Sequence, residues 1–185
     1  IQDMDQRPDG IYQNSPLSDA AWGRGNGFPA LGLALVLSEL PLNSPLREQF
    51  IEGHRKHLEA LSRHQDPTGM WHQVIDHPES YREMTSTCMI TFSMIRGVRE
   101  GWLDAKIYTP IIERAWYGIK TRVAFDGTLV DVCTGTGKQK NLRGYLDRMA
   151  ILGTDARGGA MAFLVSNEMA QWLNERDNAA QQRRD

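Results

Sequence analysis

The stretch AAWGRGNGF, Ala20–Phe28, runs directly into PALGLALVLSEL, Pro29–Leu40, and this pair decides the fold. Three glycines in five positions precede a run that is apolar on nearly every side. A helix of that kind is buried all round rather than laid on a surface. The same texture returns in TSTCMITFSMIRGV, Thr85–Val98, and again from about Ala160 to Leu173. Amphipathic segments lie between these three. In the first, Ser44 reads as an N-cap with Pro45 at the first helical position. Leu46, Phe50, Ile51, His54, Leu58 and Leu61 then share one side, opposed by Arg47, Glu48, Glu52, Arg55, Lys56 and Glu59. In the second, Tyr108, Ile111, Ile112, Ala115, Trp116 and Ile119 form a stripe opposite Glu113, Arg114 and Lys120. That spacing is the mark of an outward-facing helix.

The order is therefore buried, amphipathic, buried, amphipathic, buried. An inner row of helices flanked on both sides and an outer row with one wet face give this alternation, whereas a simple bundle makes every helix amphipathic. The fold class read from it is all-α, an arc of α/α hairpins. Residues 1–19 read as an irregular segment, 20–175 as the α/α-hairpin domain, and 176–185 as a polar, fraying tail. Residues 13–22, 64–85 and 124–159 lead into the three inner helices, and alternating hairpins bring them to one end. GTLVDVC, within the third, reads as a short strand. The N-termini of the inner helices point to that end and favour an anion there.

Composition narrows the function. At 185 residues with a net charge of −2, the chain lacks the broad basic surface of a nucleic-acid binder. Charged residues interrupt every apolar run before bilayer-spanning length, so no membrane partner is read. The first residue is Ile1 and no leader is visible, which reads as a processed or truncated chain. Cys88 and Cys133 make no disulfide framework, and they leave the compartment open between cytoplasm and periplasm. Cys88 reads as a small buried hydrophobe.

Few motifs carry chemistry. WGRGNG has G-x-G-x-G spacing with no preceding strand, so it is not a dinucleotide fingerprint. Its glycines read as backbone thinned for a ligand to approach Arg24, or else as room for tight helix packing with Arg24 held by a structural acid. Trp22 and Phe28 offer flat apolar walls. CTGTGKQ, Cys133–Gln139, fails the phosphate-loop spacing. His54 and His57 read as surface or half-buried histidines. His72, beside Trp71, is the one histidine placed near a ligand. No metal site and no cofactor motif is read. Glu83 reads as a cap or a pocket residue, and Asp126, Asp131, Asp147 and Asp155 read as turn or cap residues.

AAWGRGNGF, QDPTGMWHQVID, SYREMTSTCM and VCTGTG, in this order, resemble the unsaturated glucuronyl and rhamnogalacturonyl hydrolases, glycoside hydrolase families 88 and 105. The resemblance runs from about Asp9 to Trp172. It implies an (α/α)6 toroid, of which this chain holds about half, the C-terminal half. It implies substrates with a 4,5-unsaturated uronic acid at the non-reducing end. An aspartic acid protonates the C4=C5 vinyl ether, water adds at C5, and the hemiketal opens with release of the sugar. This differs from hydrolysis by two carboxylates flanking the anomeric carbon.

Carried over by motif, the substrate-binding residues are Trp22, Arg24, Asn26, Phe28, His72, Thr85 and Thr87. Phe28 stands where many members carry a tryptophan, and Gln13 stands about where relatives carry a histidine. The family's general acid lies upstream of the arginine motif. Asp3, Asp5, Asp9 and Asp19 precede Trp22 here, and none sits in a fitting context, so the acid is expected outside this chain. A half toroid exposes inner-helix flanks and calls for a missing N-terminal half or a homodimer partner. The alternatives are a non-catalytic carbohydrate-binding helical domain and a dimerising helical module.

Overall fold

The computed structural model describes residues 5–182. Asp3 and the last three residues of the tail lie outside them. The principal helices are α1 (Gly23–Glu39), α2 (Arg47–Ser62), α3 (Met84–Arg99), α4 (Ala105–Lys120) and α6 (Ala156–Gln182). Between α4 and α6 come β1 (Leu129–Cys133), a short α5 (Leu142–Leu146) and β2 (Ala150–Gly153). The strands form an antiparallel ribbon with Val132 opposite Ile151 and Cys133 opposite Ala150.

α3 is the axis of the arc. Every residue from Met84 to Ile95 is buried, as its apolar texture requires. α1 packs on one side of it and α6 on the other, while α4 covers α3 and α2 covers α1. The register shows that the three inner helices run parallel. Ser93 Oγ on α3 donates to Ala30 O on α1 at 2.8 Å, and Arg96 NH1 donates to Ser38 Oγ at 2.7 Å. On the other side Arg96 meets Glu168, and Arg99 meets Glu175. The three N-termini therefore lie at one end.

Helix ends are closed by named groups. Glu83 caps α3 and Asp104 caps α4. Arg47 donates to Leu37 O and Leu40 O at 3.0 and 2.8 Å, satisfying carbonyls at the end of α1. Ser44 is not the cap of α2. The helix starts at Arg47 with Leu46 as N-cap, and Ser44 instead closes the preceding turn through Leu46 N.

The tail also differs from its reading. From residue 176 to Gln182 it continues α6 rather than fraying. Side chains around the junction hold it: Arg176 pairs with Glu113 at 2.9 Å and lies 4.6 Å from the Trp172 ring centroid, and Glu175 pairs with Arg99. Two turns in, Glu168 is buried and receives both Arg96 and Arg99 at 2.6 Å. Burial alone raises the Glu168 pKa, but the two guanidinium hydrogen bonds outweigh it and hold the carboxyl below its ordinary range.

His54 and His57 are the clearest departure. Both are fully buried at the α2 interface, not on the surface. Ser93 Oγ spends its proton on Ala30 O, so His54 Nε2–H is the donor to Ser93, at 2.8 Å. His57 Nε2 lies 3.2 Å from Asn26 Oδ1, and its ring stacks edge-on against Tyr12. Each ring finds an internal partner for its Nε2, while His54 Nδ1 is buried without one; the paired nitrogens let histidine substitute for an apolar residue in the α2 stripe.

Burial, aided by Arg55, lowers the His54 pKa to about 4, and burial with His54 lowers that of His57 to about 3, from an ordinary 6.5. The unfolded chain therefore takes up these protons before the folded one does. Stability in urea unfolding is expected to be full above pH 6.5 and to fall progressively from 6.5 to 4. His54→Gln, which keeps a donor for Ser93, flattens that slope. A profile that is level across this window contradicts the assignment.

Candidate functional site

The glycine run is not a loop before a helix. Gly23 to Gly27 are the opening turn of α1 itself. Two of these glycines let α1 sit tightly on its neighbours. A Cβ at Gly23 would stand 2.7 Å from His72 O, and one at Gly27 would stand 2.7 Å from Met89 Cε. Trp22, the N-cap, offers no side-chain bond, and Gly23 N instead donates to Gln73 O at 2.7 Å. Bridges pair Trp22 with Val74 and His72 with Arg82. Asn14 Nδ2 reaches Tyr145 OH at 2.8 Å. The three long loops thus converge on the end where the inner helices begin.

Glu83 organises this end. Its carboxylate is fully buried and accepts from Thr85 N at 2.9 Å, Thr85 Oγ1 at 2.6 Å, Ser86 N at 2.5 Å and Cys133 N at 2.9 Å. A charge so deep is stable because four donors and the positive end of α3 surround it. Arg24, only 4% exposed, takes the other side of the same residue. Its NH2 donates to Cys133 O at 3.0 Å and Thr134 O at 3.1 Å. Backbone carbonyls, not a structural acid, hold it. The indole of Trp22 lies 5.7 Å from the guanidinium. Arg24 Nε is buried without a partner, as are Trp22 Nε1, both ends of the Gln73 amide and Tyr81 OH. Burial, and then the neighbouring Cys133 and Glu83, push the Tyr81 phenol upward, so it stays a protonated donor.

A pocket of about 270 Å³ opens here, lined by Arg24, Phe28, Met89, Ala156, Arg157, Ala160 and Met161. Its walls are apolar apart from the two guanidinium groups. A larger, shallow hollow of about 660 Å³ lies by α4 between Pro67, Pro110 and Tyr117. None of its lining residues comes from an inner helix, and chemistry favours the smaller pocket.

Of the residues carried over by motif, Arg24 and Phe28 line this pocket, and Phe28 keeps 48% of its surface exposed. Trp22 stands behind Arg24. The other four are placed elsewhere because internal bonds consume them. Asn26 donates to Tyr12 O and Trp22 O and accepts from Tyr12 N. Thr85 Oγ1 is spent on Glu83, and Thr87 Oγ1 bridges Trp71 N and Glu83 O. His72 donates from Nδ1 to Ser80 O at 2.6 Å and sets Nε2 3.5 Å from Asp66, which also holds Arg82. Gln13 is turned to Asp5, 3.5 Å away. Cys88 and Cys133 are free and buried.

Arg157, Met161 and Met89 were not singled out as site residues. Arg157 had one available signal: it is the second residue of its inner helix, as Arg24 is of α1. Among the described residues no group of three His, Cys, Asp or Glu is placed to hold a metal ion.

Gly23→Ala is expected to cost about 1–3 kcal/mol, since the methyl meets backbone. Gly32→Ala, mid-helix with nothing within 4 Å, is expected to stabilise by about 0.5–1 kcal/mol. Denaturant melts of the two variants check the contrast. A neutral Gly23→Ala would remove the close-packing account of the glycine run.

Comparisons with known proteins agree with the helical fold. Residues 3–173 match Glycosyl Hydrolase Family 88. The chain is 34% identical over 130 residues to the unsaturated rhamnogalacturonyl hydrolase YesR of Bacillus subtilis, covering 70% of this chain and 36% of that protein. It is 33% identical over 108 residues to an unsaturated 3S-rhamnoglycuronyl hydrolase of an Alteromonas species, covering 57% and 26%. A crystal structure described as a possible member of the GH105 family, from Salmonella enterica serovar Paratyphi A, superposes with a TM-score of 0.83 at 26% identity, over 92% of this chain and 47% of that one. The chain thus spans between about a quarter and a half of the length of these relatives. The arc of inner and outer helices is part of an α/α toroid, and the chain belongs to Glycosyl Hydrolase Family 88.

Proposed function

We propose that this chain forms the substrate-holding part of an unsaturated uronyl hydrolase, with the pocket at Arg24 and Phe28 receiving the unsaturated uronic acid. The observation that carries this reading is the composition of the pocket. The unsaturated uronate ring, flattened at its C4=C5 bond, has an apolar face and one anionic edge. Phe28, Met89 and Met161 supply apolar wall, and Arg24 supplies fixed positive charge at the mouth of parallel helix N-termini. Family membership supports the same class of substrate.

The proton that opens the vinyl ether comes from a carboxylic acid that this pocket does not carry. None of the residues lining it is an Asp or Glu. Among the described upstream aspartates, Asp9 is paired with Arg7 at 2.7 Å and Asp5 faces Gln13. The acid then belongs to the remaining half of the toroid, packed on the free flanks of α1 and α6. Leu35, Val36 and Phe163 are exposed on those helices, Phe163 by 78%.

Mixed with an unsaturated uronyl disaccharide, the chain alone is expected to bind without bleaching the ultraviolet absorbance of the C4=C5 bond. Phe28→Ala is expected to weaken that binding about 3- to 10-fold by loss of the ring face. Turnover by the chain alone would overturn the assignment of the acid. An absence of binding would overturn the reading of the pocket.

A further inference from the structure

We infer that Arg157 is a specificity-determining residue of this pocket, reading the negative charge of the bound sugar alongside Arg24. The inference rests on the proposed uronate reading of the site and adds a residue to it.

The geometry is a repeat. α1 and α6 flank α3 and run parallel to it, and each carries an arginine as its second residue. Both arginines line the same pocket. Their surroundings differ in a useful way. Arg24 is buried and pinned through NH2, with Nε left unpartnered. Arg157 is about half exposed and free to meet a ligand arriving from solvent. An internal acid sets its position. Asp155 Oδ1 caps α6 by accepting from Gly158 N at 2.7 Å, and its Oδ2 accepts from Arg157 NH2 at 3.0 Å. That leaves the rest of the guanidinium fork to a ligand. Gly135 in the CTGTG loop leaves room beside it, since a Cβ there would stand 3.4 Å from Arg157 NH1.

Charge decides what such a pocket prefers. Asp155 offsets one positive charge, and Glu83 is occupied by its own four donors. An anion at the mouth gains two guanidinium neighbours and the N-termini of two long helices. A neutral group of the same shape forgoes the attraction of both guanidinium groups. The sugar's carboxylate, rather than its ring, is the feature that Arg157 distinguishes.

The test compares an unsaturated uronyl disaccharide with its methyl ester, which keeps the ring and double bond but loses the charge. Binding is measured on the full chain by calorimetry. The wild type is expected to prefer the free acid, and Arg157→Ala to reduce acid affinity about tenfold while leaving ester affinity within about twofold. Arg157→Lys retains the charge without the fork and falls between. Unchanged thermal melts for both variants, expected for a half-exposed side chain, separate binding from folding. An acid-to-ester preference that survives Arg157→Ala overturns the inference alone. A wild type that binds neither compound overturns the uronate reading and the inference with it.

Discussion

Cys133 is gripped from both sides. Glu83, at the head of α3, accepts from its N–H, and Arg24, in the first turn of α1, donates to its C=O. Three segments far apart in sequence are fixed against one another at a single residue. Both charged groups are almost wholly buried, and neither would be stable there alone. Together with the helix N-terminus and the ribbon backbone they satisfy most of each other's bonding capacity. Arg24 Nε is left buried without a partner, and the Arg24 side chain lines the pocket. The same constraint that closes the top of the arc therefore supplies the site's fixed charge.

Much of the architecture was legible in the residues. Alternation between segments apolar all round and segments with one apolar stripe located inner and outer helices, because burial on two flanks and burial on one leave different patterns. The convergence of the three long loops followed from hairpin direction. What escaped depended on partners distant in sequence. The glycine run looks like a flexible lead-in, but α1 begins inside it because His72 O and Met89 approach where side chains would stand. His54 and His57, on a helix rich in arginine and lysine, read as surface or half-buried, yet Ser93 and Asn26 accept their hydrogens inside the core.

The site shows the same division. Arg24 and Phe28 were findable because a dense motif surrounds them. Asn26, Thr85, Thr87 and His72 share those motifs, and in this structure their side chains make internal hydrogen bonds. Arg157 stands in TDARGG, marked only by its place as the second residue of an inner helix. Only the parallel placement of α6 beside α3 brings it to the pocket of Arg24.

The central claim is that an anionic sugar docks against Arg24 from the pocket side while its other face stays bound to Cys133 and Thr134. Guanidinium-detected nuclear magnetic resonance on the full chain tests it most directly. Titration with an unsaturated uronyl disaccharide should move the Arg24 Nε–H resonance and slow its exchange with water, with the methyl ester producing little change. Saturable binding that leaves Arg24 Nε–H unmoved, or shifts confined to arginines outside the pocket such as Arg96 and Arg99, would contradict it.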